Sequence, residues 1–208
     1  DCYWPNEYVT TTYYAGQFNM YGGKISGNTA LYDGAGIYAA GTSAIHGGEI
    51  TQNTASRNGG GVAVVSRGTL QLAGGKIFDN EAATGGGVYN SSGASLSLVM
   101  NHGEISNNTA TGERTGGGGI YSSHGFQMNG GKIIGNKAAG SYSGRGGGVC
   151  IENDTYFTMN QGVISGNSAV SSGGGVYTES DTVNLKGGEI SGNTSGNNGG
   201  GIYVSGTQ

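Results

Sequence analysis

The sequence predicts an all-β chain, a single-domain parallel β-helix of about seven coils with three short strands per coil. Three observations predict it. The seven-residue unit GGKISGN at residues 22–28 returns as GGEITQN, GGKIFDN, HGEISNN, GGKIIGN, QGVISGN and GGEISGN. Its closing asparagines, Asn28, Asn53, Asn80, Asn108, Asn136, Asn167 and Asn193, recur every 25 to 31 residues, a spacing typical of solenoids. Between the copies the chain shows glycine corners and short alternating apolar stretches, without helical periodicity.

Two divisions follow. Residues 1–17 lack the glycine corners and concentrate Tyr3, Trp4, Tyr8, Tyr13 and Tyr14, which reads as an aromatic arm or cap. Residues 18–208 form the repeat domain. The first strand of each repeat places Met20, Ile45, Leu72, Met100, Met128, Met159 and Leu185 in one row, with Phe18, Leu70, Leu98, Phe126, Phe157 and Val183 two positions earlier. The second strand contributes Ile25, Ile50, Ile77, Ile105, Ile133, Ile164 and Ile190. The third follows a glycine corner, as in GGGIY, and contributes Ile37, Val62, Val88, Ile120, Val149, Val176 and Ile202. Since a single coil cannot bury its own face, such rows must stack into one elongated core. Seven coils at the strand spacing make a rod of ~34 Å.

The asparagines read as structural. Asn tolerates the left-handed conformation at a corner, and its amide can bond the Asn of the next coil. The small residue two positions on, Ala30, Ala55, Ala82, Ala110, Ala138, Ala169 and then Ser195, lets the corner close. A leucine-rich repeat has a similar period, but six leucines in the whole chain exclude it.

Composition narrows the function. With 47 Gly but one Pro, and with glycines clustered at corners, the chain is not collagen-like. A charged fraction of 11% and 13 Tyr argue for a packed chain rather than a disordered one. A net charge of −4, with nine basic residues scattered along the chain, gives no footprint for nucleic acid. No apolar run approaches membrane-spanning length, so no membrane insertion is expected. The chain opens at Asp1 rather than Met, which reads as a processed form that has lost a targeting segment.

At GGGIY and GGGVY, and at ISGNTA and IFDNEA, the chain resembles the right-handed parallel β-helix proteins of the pectin-lyase-like class. It is most similar to bacterial surface repeat proteins, including the polymorphic outer membrane proteins, whose repeats carry GGA[ILV] and FxxN. The likeness spans residues 18–203, with Ile in place of Phe. It implies a right-handed coil and an extracellular or cell-surface protein used for adhesion or as a stalk. The membrane barrel of those adhesins has no counterpart in this sequence.

The residue before the columnar Ile alternates: Lys24, Glu49, Lys76, Glu104, Lys132, Val163, Glu189. With Ile facing in, these face out, and opposite charges on neighbouring strands contribute ~0.2–1 kcal/mol each. The alternation also opposes slippage of near-identical coils. Glu189 of one molecule meeting Lys24 of another would continue it. Since a β-helix exposes unpaired strand edges at its ends, two readings stand side by side: head-to-tail assembly into a filament, or an aromatic N-terminal cap on a fragment cut short at its C-terminus.

The only cysteines, Cys2 and Cys150, have no metal-ligand spacing. Cys150 takes the place held elsewhere by Tyr38, Tyr89, Tyr121, Tyr177 and Tyr203, a row alternating with the inward Ile and Val, so it is expected to face outward. Reaching Cys150 from Cys2 within one molecule spans ~24 Å, against ~14 Å onto a preceding molecule in a stack. The intermolecular pairing is the easier one, with two unpaired thiols as the alternative.

Three further groups are weighed. ENDT at 152–155 and ESDT at 179–182 stack Glu152 over Glu179 and Asp154 over Asp181, and four such carboxylates would take a calcium ion; Asp–Thr turns also form without metal. The corner insertions at 111–115 and 139–145 bring Glu113, Arg114, Tyr142 and Arg145 to one side, a patch for surface glycans or a cell-surface partner. His46, His102 and His124 lie on different coils without a carboxylate partner, so no catalytic set is expected. The function expected is a non-enzymatic extracellular structural or adhesive protein; the alternative is a carbohydrate-binding or polysaccharide-cleaving β-helix.

Overall fold

The computed structural model describes residues 16–94, 96–113, 116–152, 155–179 and 182–205. The aromatic residues of the arm lie outside this set, and Gln17 already belongs to the first strand. Each coil carries four strands rather than the expected three. The first coil runs Gln17–Met20, Lys24–Ser26, Thr29–Ala30 and Ile37–Ala39. The seventh runs Thr182–Leu185, Glu189–Ser191, Thr194–Ser195 and Ile202–Val204. Counterparts in successive coils pair in parallel, giving four seven-stranded sheets in a right-handed parallel solenoid.

The added strand follows each asparagine; it is two residues long in five coils, as at Thr29–Ala30, and runs Thr54–Asn58 and Glu81–Thr84 in the second and third. Two residues are too few to show an alternating pattern, so it reads as a mere corner. In the fold its alanines point inward and pair in register, Ala82 with Ala55 and Ala110, and all three are buried.

Every predicted row stacks as expected. Ile77 pairs between Ile50 and Ile105, Val88 between Val62 and Ile120, and Met100 between Leu72 and Met128. Phe126 and Phe157 stack with centroids 5.5 Å apart, and Ser43 occupies the vacant place in their row beside Phe18. Together these rows form one continuous core. It is closed from the second coil to the sixth and open at both ends, where Phe18 is 38% and Leu185 50% exposed.

Backbone geometry explains the glycines. The residue before each asparagine adopts positive φ: Gly27, Gln52, Asp79, Asn107, Gly135, Gly166 and Gly192. Gly, Asn or Asp, which tolerate the left-handed region, hold six of these seven places, and Gln52 holds the other. In the GGG corner the reason is crowding, since a Cβ on Gly61 would lie 2.6 Å from Gly87 O on the next coil. Among the described residues no helix is long and apolar enough to cross a membrane.

Candidate functional site

The asparagine column forms a polar spine with one direction. In each rung the backbone N–H and one Nδ2 hydrogen of an Asn both donate to Oδ1 of the Asn one coil on, at 2.9–3.0 Å. The second Nδ2 hydrogen goes to the carbonyl of the columnar Ile one coil back, as from Asn80 to Ile50 O at 2.9 Å. Asn53, Asn80, Asn108, Asn136 and Asn167 are buried, and every side-chain polar atom in them is used. Asn28 and Asn193 terminate the series.

The charge row is in register as expected: Lys24 opposite Glu49, Glu49 opposite Lys76, Lys76 opposite Glu104, Glu104 opposite Lys132, Lys132 opposite Val163, Val163 opposite Glu189. Among the described residues only its first rung closes into an ion pair, Lys24 Nζ to Glu49 Oε2 at 3.5 Å. Glu104 instead accepts from the Ser106 hydroxyl at 2.7 Å. The row therefore sets register more than it adds stability, as expected for exposed pairs.

The tyrosine row also stacks. Tyr89 lies on Tyr121 and Tyr177 on Tyr203, each with centroids 5.2 Å apart. Cys150 is placed between Tyr121 and Tyr177, as the register predicts, but it is not on the surface. It is a free thiol and fully buried, which corrects the expectation of an outward, reachable cysteine. The reason is the corner insertion. Gly116 bridges Arg145, and a Cβ on Gly116 would lie 3.2 Å from the Cys150 sulfur. The Arg145 guanidinium sits 4.9 Å from the Tyr177 ring centroid and bonds Glu179 at 3.1 Å. A backbone flap and a guanidinium thus cover the rung where no ring stands. Burial pushes the Cys150 thiol well above its ordinary pKa. Cys2 lies outside the described residues, and with Cys150 enclosed the intermolecular bridge has no accessible partner on this side.

Glu152 and Glu179 occupy neighbouring coils, one step beyond the Ile151–Thr178 pair. Each is engaged: Tyr121 donates its hydroxyl to Glu152 at 2.6 Å, and Tyr177 donates to Glu179 at 2.6 Å. Burial and these hydrogen bonds hold both phenols well above the usual tyrosine range. The other two carboxylates of the calcium expectation, Asp154 and Asp181, lie outside the described residues. Among the described residues no three His, Cys, Asp or Glu side chains converge.

The insertion patch assembles in part. The backbone N–H groups of Tyr142 and Ser143 donate to Glu113 O at 3.3 and 3.0 Å, and Tyr142 is exposed. Arg145 turns away into the tyrosine row, and Arg114 lies outside the described residues. The histidines separate, with His46 stacked on Tyr21 at 4.7 Å and His124 beside the Ser123 hydroxyl.

Two features escape the sequence reading. Asn160 donates to Asn129 at 2.7 Å and Asn129 to Asn101 at 2.8 Å, a second amide row at the surface. Its signal is the Met–Asn pair ending three successive first strands, at residues 100–101, 128–129 and 159–160. Beyond that row the corner glycines leave a shallow axial groove floored by Gly75, Gly103 and Gly131 and edged by Lys76, Glu104 and Lys132. Compared with known proteins, the chain matches no protein-family model, no curated protein and no solved structure.

Proposed function

We propose that the protein is a non-enzymatic structural rod of the cell exterior, serving as a stalk or as a filament subunit. The observation that carries this reading is the continuity of the asparagine spine, and of the apolar rows through Ile77, Val88 and Met100, from coil to coil. A body built this way resists bending, because every coil is tied to its neighbours by backbone and side-chain bonds alike. The carboxylates Glu152 and Glu179 support it further, since tyrosine hydroxyls hold them rather than an open cleft. The likeness of the GGGIY and ISGNTA units to surface-adhesin repeats favours the exterior. Antibody labelling of intact against permeabilised source cells tests it: labelling of intact cells is expected, and labelling that requires permeabilisation overturns the reading.

The axial groove favours a second reading, a carbohydrate-binding or polysaccharide-cleaving β-helix. Its glycine floor would admit a linear chain, and Lys76, Glu104 and Lys132 along its edge would offer polar contacts. Incubation with neutral and uronate polysaccharides separates the two. New reducing ends establish the second reading, and their absence at high protein concentration removes its cleaving form.

A further inference from the structure

We infer that the tyrosine row is a redox-active face: it gives one electron to a small radical oxidant and holds the resulting radical on Tyr121, with Glu152 keeping the displaced proton. This goes beyond the structural reading and applies to a stalk and a filament subunit alike. The first observation is that the row does more than pack. Tyr89 lies on Tyr121 and Tyr177 on Tyr203, each pair with centroids 5.2 Å apart and within 8° of parallel. Phenylalanine would stack as well, yet two of these rings carry a hydroxyl fixed on a carboxylate. Tyr121 donates to Glu152 and Tyr177 to Glu179, both at 2.6 Å. A phenol gives up an electron easily only when its proton has somewhere to go, and a carboxylate one hydrogen bond away is such a place.

The second observation is that the two phenols differ in their charged surroundings. The Arg145 guanidinium lies 4.9 Å from the Tyr177 ring centroid and bonds Glu179 at 3.1 Å. A cation that close opposes loss of an electron from the ring and makes Glu179 the poorer base. Among the described residues no cation pairs with Glu152, and the charged group facing Tyr121 is that carboxylate. Tyr121 is therefore the easier of the two to oxidise. The phenols stand on strands Ile120–Ser122 and Val176–Thr178, one coil to either side of Cys150. Two strand spacings, ~9.6 Å, separate them, near enough for an electron to pass through protein. The rung between is closed to water, since Cys150 is fully buried beneath Gly116 and Arg145.

The steps balance in electrons and protons. A one-electron oxidant touching the half-buried Tyr203 draws one electron through it from Tyr177, whose hydroxyl proton passes to Glu179. One electron then moves from Tyr121 to Tyr177. Glu179 returns its proton to Tyr177, and the Tyr121 proton passes to Glu152. Tyr177 and Glu179 are restored, and a neutral tyrosyl radical at Tyr121 faces a protonated Glu152. Oxidation at the Tyr89–Tyr121 pair reaches the same state directly. An electron from a small reductant, such as a thiolate or an enediol, together with the proton held by Glu152, regenerates Tyr121. The net reaction carries one electron from reductant to oxidant and leaves the protein unchanged.

Flash photolysis of a ruthenium polypyridyl with persulfate, followed by freeze-quench electron paramagnetic resonance, reads the radical and its decay. The parent chain is expected to show a tyrosyl radical that outlives those of free tyrosine under the same flash. Tyr121→Phe should abolish it, and Tyr142→Phe, at an exposed ring outside the row, should leave it unchanged. Glu152→Gln still accepts the Tyr121 hydroxyl hydrogen but has no use for the proton, so the yield of the long-lived radical should fall by roughly a hundredfold. A purely structural hydrogen bond would not move that yield. Because Glu152→Gln keeps the bond, it decides the matter even where Tyr121→Phe fails to fold, as circular dichroism would reveal. Tyr177→Phe should lower the yield at Tyr121 without altering its decay. A parent chain with short-lived radicals alone, or a folded Tyr121→Phe or Glu152→Gln chain that keeps the parent's radical, overturns the inference. An unchanged yield in Tyr177→Phe overturns passage between the two phenols. None of these outcomes bears on the labelling of intact cells, which tests the structural reading by itself.

Discussion

Asn108 Oδ1 accepts two hydrogens from Asn80, one from its backbone N–H and one from Nδ2, each at 3.0 Å. Both residues are enclosed, and Asn108 Nδ2 in turn satisfies Ile77 O at 2.9 Å. Asn108→Ala therefore orphans three groups at once, each costing about 1–3 kcal/mol when buried. The expected loss is about 3 kcal/mol or more. Asn28→Ala, at the exposed end of the spine, is expected to cost about 1 kcal/mol, since water takes over the released groups. Urea denaturation followed by circular dichroism measures both, and equal losses would contradict a buried spine.

Glycine substitutions should sort by what the missing side chain would meet. A Cβ on Gly86 would lie 2.4 Å from Thr109 O, a backbone atom that moves only with its whole coil. Gly86→Ala is expected to cost about 3 kcal/mol, the upper range for overpacking. Gly166 has φ +63° but open space out to 4.0 Å, so Gly166→Ala should cost only the left-handed penalty of about 1 kcal/mol. Thermal melts of the two rank them, and the reverse order would mean that conformation rather than crowding dictates the corners.

The enclosed thiol makes a labelling prediction. In the native chain Cys150 should resist a maleimide until denaturant opens the fold, with the modified peptide identified by mass spectrometry. Arg145→Ala removes the guanidinium from Tyr177 and Glu179, and should raise the native labelling rate at Cys150 by tenfold or more. Rapid labelling of the parent chain at Cys150 would show that the flap formed by Gly116 and Arg145 does not cover it.

Stability should fall on the alkaline side. Cys150, Tyr121 and Tyr177 keep their protons in the fold to higher pH than in the unfolded chain. Unfolded thiols ionise near pH ~8.5 and phenols near ~10. Above those values the unfolded state holds fewer protons than the native state, so its free energy drops relative to the fold. The contribution is fully present below pH ~8.5 and declines above it, by up to about 1.4 kcal/mol per pH unit for the enclosed thiol. Denaturation midpoints at pH 8, 9, 10 and 11 check the sign; Cys150→Ala should remove the earliest part of the slope.

What could be read from the sequence depended on element length and on locality. The rows through Ile77 and Val88 were legible because their strands pair one to one at a fixed offset, so alignment of the repeats is alignment in space. The strand after each asparagine was not, because in five coils it has two residues, which carry no period, and an inward alanine resembles a corner filler. The alternation from Lys24 to Lys132 was legible as register, but not that Glu104 would turn to Ser106, which is a choice between nearby partners of similar energy. Cys150 was correctly placed in the tyrosine row and wrongly exposed. Its cover comes from an insertion at 139–145, and where an irregular loop folds is not encoded by the repeat. The Met–Asn pairs were visible, yet their amide row depends on the first strand ending at the same point in three successive coils.

The one-way spine has a mechanical corollary. Every rung joins residues a single turn apart, so a tether pulling on one terminus loads the last turn alone and leaves the next untouched until it opens. Each turn released frees some 27 residues, about 90 Å of extended chain. Force–extension traces of a surface-held molecule should then show a sawtooth of near-equal steps rather than one rupture. A solenoid that yields in this way limits the peak load on whatever it joins, and recoils one turn at a time when the strain is relaxed.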